Sequence, residues 1–293
     1  MASIRYIRGA SELLNNYDGF VIDLWGVMHS GGQAFPEALE ALKGLREAGK
    51  RIVILSNAPR RVDAVVARNR EQGIAEEMAD AVLSSGEVTW QNLKNPTGDF
   101  YGTLGRKVFL IGPHRDNGMK KGLDLEFVED PQDADFFLLC GLMEHSPRDL
   151  DPTGYDDFLK PAAERGCPMV CANPDLVVVR GGSRETCAGA FAERYEALGG
   201  RVQYHGKPHQ DIYHRCAELM GVDDLSRAIA VGDSLRTDVT GANRAGMAAL
   251  FIAGGIHQDQ IGDLDSPQGK AALEELCNDY GTQPVAALPV FRF

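Results

Sequence analysis

The sequence predicts a parallel α/β core with helices on both faces, interrupted by a second α/β domain inserted into it. Three observations carry that expectation. Near opposite ends of the chain lie two apolar, strand-like runs, Phe20-Val-Ile-Asp-Leu-Trp-Gly-Val27 and Ala228-Ile-Ala-Val-Gly-Asp-Ser-Leu-Arg-Thr-Asp238, and each delivers aspartate at its carboxyl end. That is the edge where open parallel sheets gather their ligands. Strand and helix patterns alternate around both runs, and a separate alternation fills the middle of the chain.

After the strand ending near Trp25, Leu39, Leu42 and Leu45 share one helical face between Pro36 and Ala48, with proline suited to the first turn and Gly49 to the stop. Arg51-Ile-Val-Ile-Leu55 is the next strand, and residues 59–72 form a helix closed by Gly73. The pattern resumes with a helix over 211–220, the strand 228–231, a helix over 237–245 and the strand 248–252. Between them, strand patterns at 108–111, 136–140, 169–172 and 176–179 define the inserted domain. The expected organisation is core at 1–84 and 205–293 with the insertion at 85–204, glycine at Gly86 and Gly206 permitting hinges. Beyond Gly262, Pro284 and Pro289 predict an irregular tail.

Composition narrows the function. The 293 residues carry 42 acidic and 30 basic side chains, a net charge of -12. This excludes a general nucleic-acid or acidic-membrane surface, since both need a basic face. A small anionic substrate is compatible, because it needs only a metal and a few local cations such as Lys207 or Arg60-Arg61. The first twenty residues have no basic start followed by a long apolar stretch, and no run is long enough to span a bilayer, so a cytoplasmic enzyme is expected. Cysteines at 140, 167, 171, 187, 216 and 277 form no C-x-x-C pair and read as mostly buried, reduced thiols.

The candidate chemistry sits at strand ends. A carboxylate at Asp23 can attack phosphorus and split one hard displacement into two easier ones; a turn-capping role is the structural alternative. Asp233 and Asp238 place two more carboxylates around the start of a helix, suited with Asp23 and the Trp25 carbonyl to the oxygen shell of magnesium. Asp238 is expected to orient Asp233 or a metal-bound water, although an aspartate at a helix start also suits the helix dipole. Ser56 and Asn57 end the second strand, where a hydroxyl and backbone amides can hold phosphoryl oxygens. Lys207, in Gly206-Lys207-Pro208, supplies the cation that an anion attacking an anion requires. As single residues Ser56 and Lys207 are more often surface polar groups, and their order and strand context mark them out.

Taken in order, these four segments resemble the motif set of the haloacid dehalogenase (HAD) superfamily. The chain up to about Gly262 resembles its class IIA branch, in which a large α/β cap lies between the second and third motifs. The resemblance implies a Rossmann-like core and magnesium-dependent hydrolysis of small phosphate monoesters through an aspartyl-phosphate on Asp23, with Ser56 and Lys207 assisting. Best-known members act on nucleotides, pyridoxal phosphate, phosphoglycolate or nitrophenyl phosphate. Ala172-Asn173-Pro174-Asp175 resembles the branch's Thr-Asn-Pro-Asp loop, and Glu185-Thr-Cys-Ala-Gly-Ala190 resembles the small-residue turn that begins a helix facing its active site. By that resemblance Asn173, Asp175 and Glu185 help select substrate, turn and capping roles being their alternative, while Asn57 binds substrate from the end of the second strand. A cap-mediated homodimer is compatible with the branch.

Trp25 departs from the pattern. Phosphatases of the superfamily carry a second aspartate there, which protonates the leaving oxygen; members with tryptophan would form a distinct subgroup. Tryptophan's carbonyl can still face magnesium, but its ring cannot transfer a carboxyl proton. Three explanations stand. The chain is a phosphatase with another donor, His29 being the nearest, or with substrates whose leaving group needs little help. Alternatively it cleaves a different bond, such as a phosphonate, which would call for one of the cap lysines Lys94, Lys107, Lys120, Lys121 or Lys160 as a Schiff base. In the third, it is a weak relative that binds a phosphorylated metabolite.

Overall fold

The computed structural model describes residues 3–293. In chain order the strands are β1 (Arg5–Tyr6), β2 (Gly19–Asp23), β3 (Arg51–Ser56), β4 (Ala81–Ser84), β5 (Lys107–Ile111), β6 (Glu126–Phe127), β7 (Phe136–Leu139), β8 (Met169–Cys171), β9 (Val177–Arg180), β10 (Ser183–Thr186), β11 (Val202–Tyr204), β12 (Ala228–Gly232), β13 (Ala248–Ile252) and β14 (Ala286–Leu288). The chain divides into two compact units. One comprises the chain up to Ser56, Val66–Leu83 and everything from Lys207 on; the other comprises Asn57–Val65 and Ser84–Gly206.

The first unit is built on a seven-stranded sheet of order β1-β14-β13-β12-β2-β3-β4, with parallel pairing from β1 through to β3. Every residue of β2 and of β12 is buried, as central strands covered on both faces require. The helix Pro36–Glu47 seals the sheet with Ala38, Ala41, Leu42 and Leu45, proline occupying its first turn. The next helix begins at Val62 rather than at Pro59. Arg60 and Arg61 are instead drawn into ion pairs within the second unit, with Asp116 at 2.9 Å and Glu87 at 2.6 Å, so the chain stays non-helical through both.

The expected irregular tail is corrected by the structure. Pro267–Tyr280 is a helix, capped by Ser266 accepting from the Gly269 amide, with proline in its first turn and Gly281 left-handed (φ 61°) at its close. Leu273 and Cys277 point inward from it. Ala286–Leu288 then enters the core sheet between β1 and β13. Pro284 and Pro289, which predict irregular structure, bracket this three-residue strand at positions where the ladder asks for no proline amide.

The second unit has its own parallel sheet, β11-β8-β7-β5-β6, and an antiparallel hairpin of β9 and β10. Its strands alternate between two apolar layers. Phe137, Leu139, Met169 and Cys171 face one, with Phe191 and Tyr195 of the helix Ala188–Ala197; Phe136, Leu138, Val170 and Ala172 face the other. All six cysteines are free thiols. Among the described residues no helix is long and apolar enough to cross a membrane.

Candidate active site

The first unit brings Asp23, Lys207, Asp233 and Asp238 together. β2 and β12 are adjacent and in register, Ile22 opposite Val231, so Asp23 and Asp233 emerge side by side at the carboxyl edge of the sheet. Asp233 is followed by one π-type turn, Leu235–Val239, which returns Asp238 to the same edge. Such turns tend to mark functional sites. Tyr213, from the helix Gln210–Met220, fixes this one by donating its hydroxyl to the carbonyls of Thr237 (3.1 Å) and Asp238 (3.0 Å).

Lys207 Nζ donates to Asp23 Oδ1 at 2.5 Å and to Asp238 Oδ1 at 2.7 Å. The Ser234 amide donates to Asp238 Oδ2 at 3.1 Å and the Ile256 amide to Asp233 Oδ2 at 2.8 Å. All four side chains are buried, Asp23, the most open, being 7% exposed. Burial first, then the charges of Asp23 and Asp238, hold the Asp233 carboxyl well above the ordinary carboxylate range; the Ile256 amide and Lys207 oppose them.

Three buried carboxylates thus face one ammonium, and one ligand oxygen from each aspartate lies within 4.8 Å of the others. An all-oxygen donor set with excess negative charge fits a hard divalent cation. Space for these carboxylates is made by glycine. A Cβ at Gly26 would stand 1.9 Å from Asp233 Oδ2, one at Gly255 2.0 Å from the same atom, and one at Gly232 2.1 Å from the Asp238 carboxyl carbon. Gly26 also has φ of 83°, where a side chain would strain the backbone.

Gly255 and Ile256 escaped sequence reasoning, because their link to Asp233 spans the intervening helix and strand. The only local signal was the glycine pair Gly254-Gly255 just past a strand. His257 was missed as well. It is buried, its Nε2 meets the Leu235 amide at 3.3 Å, and its Nδ1 meets Gln260 Oε1 at 2.8 Å, so the loop after β13 is pinned to the turn after β12.

Ser56 ends β3 one position beyond Leu55, which is in register with Asp23, and so stands at the same carboxyl edge. Trp25 lies in a tight loop closed by the Gly26 amide donating to the His29 carbonyl at 2.8 Å, with its ring edge-on to the His29 ring. His29 is buried, and its Nδ1 accepts from the Gly31 amide at 3.0 Å, which leaves the ring proton of the neutral form on Nε2.

The remaining four predicted residues lie in the second unit. Asn57 donates its side-chain amide to Asp175 Oδ1 at 2.8 Å, and Asn173 Oδ1 accepts from the Asp175 amide at 3.0 Å. Glu185, on β10, pairs with Arg148 at 2.7 Å and with Arg180 at 3.3 Å. The three residues Asn57, Asn173 and Asp175 therefore form one frame, and Glu185 belongs to a separate arginine cluster.

Residues 20–126 match the family of haloacid dehalogenase-like hydrolases, and residues 204–278 match the HAD-hydrolase-like family. The crystal structure of a haloacid dehalogenase-like family hydrolase from Brucella suis 1330 superposes with a TM-score of 0.81 at 33% identity, over 97% of this chain and 99% of that one. Human chronophin is 27% identical over 274 residues, covering 87% of this chain and 88% of its own. The 4-nitrophenylphosphatase of Schizosaccharomyces pombe is 25% identical over 282 residues, covering 87% and 90%. The chain belongs to the haloacid dehalogenase-like hydrolases and is an enzyme of that superfamily.

Proposed function

We propose that the chain hydrolyses small phosphate monoesters through an aspartyl-phosphate on Asp23, with magnesium as cofactor. The observation that carries this reading is the buried cluster of Asp23, Asp233, Asp238 and Lys207 at the carboxyl edge of β2 and β12. Its relatives named as phosphatases, the 4-nitrophenylphosphatase of Schizosaccharomyces pombe and the ribonucleotide monophosphatase NagD of Escherichia coli among them, agree with it.

Asp23 attacks phosphorus, the bond to the ester oxygen breaks, and the alcohol departs with a proton. Water then attacks the phosphorus of the aspartyl-phosphate, which frees phosphate and restores the carboxylate. Lys207, already hydrogen-bonded to Asp23, offsets the repulsion between nucleophile and phosphoryl group, and Ser56 holds a phosphoryl oxygen. Magnesium would be held by Asp23, Asp233 and the Trp25 carbonyl, with Asp238 alongside, and when bound it supplies neutralising charge to the phosphoryl oxygens. Residues 85–204 act in this reading as the inserted cap that selects substrate, with Asn57, Asn173, Asp175 and Glu185 shaping it.

Trp25 supplies the second reading, cleavage of a bond whose leaving group needs no carboxylic acid. The cap lysines speak against a phosphonate Schiff base, which needs a desolvated amine. Lys94, Lys107, Lys121 and Lys160 are exposed, and Lys120 lies 5.2 Å from the Phe127 ring centroid. For an ester hydrolase without an acid at position 25, His29 Nε2 is the candidate donor.

Phosphate release measured with magnesium over sugar, nucleotide, cofactor and aryl phosphates tests the proposal. Release lost in Asp23→Asn supports it; no release from any ester with the wild-type chain, or release unchanged in the variant, overturns it.

A further inference from the structure

The outer end of the core sheet carries a cavity of its own. Tyr6 of β1 and Ala287 of β14 pair in register and line a space of 490 Å3, together with Arg8, Asp265, Lys270 and Arg292. That volume falls in the range of about 300–1,000 Å3 typical of small-molecule sites. Arg8 follows β1 and Arg292 follows β14, so both arginines stand beyond the carboxyl ends of parallel strands, the side on which open sheets take ligands. β13 separates β14 from β12, and no member of the Asp23 cluster lines the cavity.

The three cations are poorly committed. Among the described residues the Arg8 guanidinium makes no hydrogen bond and no ion pair; its backbone carbonyl instead accepts from Arg292 Nε at 2.6 Å, which leaves both terminal nitrogens of Arg292 without a partner. Lys270 Nζ stands 4.8 Å from the centroid of the Tyr6 ring and pairs with no carboxylate. Three carboxylates are close by. Asp265 lines the cavity itself, Glu12 accepts the Arg8 backbone amide at 2.6 Å, and Glu274, one helical turn beyond Lys270, helps to raise the pKa of the Tyr6 hydroxyl, after burial. None of the three forms an ion pair with a lining cation. An anion entering the cavity therefore meets donors that no other group holds, and Lys270 lies near the N-terminal end of the helix Pro267–Tyr280, where the helix dipole also favours negative charge.

We propose that Arg8, Lys270 and Arg292 form a binding site for a small metabolite bearing two or more negative charges, as carboxylate or phosphate groups. The cations come from three elements, β1, the helix and the segment after β14, so a ligand with separated charges can engage more than one of them. Guanidinium groups offer a planar fork to either kind of oxyanion, and the ammonium offers a point charge. The site does not depend on the chemistry at Asp23, and its ligand need not be a substrate.

Isothermal titration calorimetry of the full-length protein, with no metal added, tests this using citrate and pyrophosphate as probes. The expected result is one saturable binding event with at least one probe, weakened about tenfold in Arg8→Gln and in Lys270→Gln, the loss of one charge-assisted contact. Arg8→Gln should melt with the wild type, because its side chain holds no other group in place. Binding of citrate alone identifies a carboxylate ligand, and binding of pyrophosphate alone a phosphate ligand; either supports the site. Absence of saturable binding with both probes, or an affinity unchanged in Arg8→Gln or in Lys270→Gln, overturns it.

Discussion

Two groups of polar residues, one in each unit, stand out in the sequence, the aspartates more strongly, and the structure arranges them differently. In the first unit Asp23, Asp233 and Asp238 are buried with excess negative charge, a single lysine spanning two of them. In the second, Asn57, Asn173 and Asp175 are linked by two ordinary hydrogen bonds. The first arrangement gathers more negative charge than its lysine offsets, which suits a further cation; the second is a hydrogen-bonded frame within a loop. Under the proposed function, electrostatic strain rather than motif strength is what sets the first group apart from the second.

The largest way to sharpen this contrast is Trp25→Asp. Restoring a carboxylic acid two residues after Asp23 should raise turnover of alkyl phosphates by about a hundred- to ten-thousand-fold, and of good aryl leaving groups far less. Steady-state rates against leaving-group pKa read this directly: the wild type should show a steep slope and the variant a shallow one. A flat wild-type slope would mean that His29 or another donor already serves.

Next comes Gly255→Ala. Its Cβ would fall 2.0 Å from Asp233 Oδ2 and push the carboxylate aside, so activity should drop about a hundredfold, the penalty of displacing a reacting group by about 1 Å. Circular dichroism should show the fold intact. Equal activity would mean that Asp233 does not need its observed position.

Asp233→Asn should stabilise the metal-free protein by about 0.5–2 kcal/mol at neutral pH, at the expense of activity. The sign follows from the raised carboxyl pKa. The folded state holds this proton where the unfolded state has lost it, so the wild type is penalised increasingly as pH rises above the usual carboxylate range. Below that range both states are protonated, and the advantage of asparagine should vanish. Chemical denaturation at acidic and neutral pH checks it.

The smallest effect belongs to the second unit. Asn57→Ala removes one hydrogen bond to Asp175 and should cost about 1 kcal/mol of stability. If it instead abolished turnover while leaving stability unchanged, the supporting role given to this frame would fail.

The core elements around the candidate site were legible because a buried parallel strand has its own signature: β2 and β12 are continuous apolar runs ending in aspartate, and no local competitor produces that pattern. The helix after β3 starts later than the sequence predicts, because its pattern extends back to Pro59 while ion pairs at Arg60 and Arg61 hold the chain away from helix. The tail misled for a similar reason. Prolines at 284 and 289 are unfavourable inside a strand but harmless on either side of one, and only the long-range pairing of Ala286 with Arg5 and Leu250 reveals β14. Gly255 and Ile256 were beyond sequence reasoning because a backbone amide donor has no side-chain signature.

In the proposed reaction Asp23 becomes phosphorylated. Rapid acid quench of the magnesium-loaded enzyme during turnover of 4-nitrophenyl phosphate, followed by peptide mass analysis, tests it most directly. A hydroxylamine-labile phosphoryl group is expected on the peptide containing Asp23 and absent from Asp23→Asn. Turnover with no trapped label, and full activity in the variant, would contradict it.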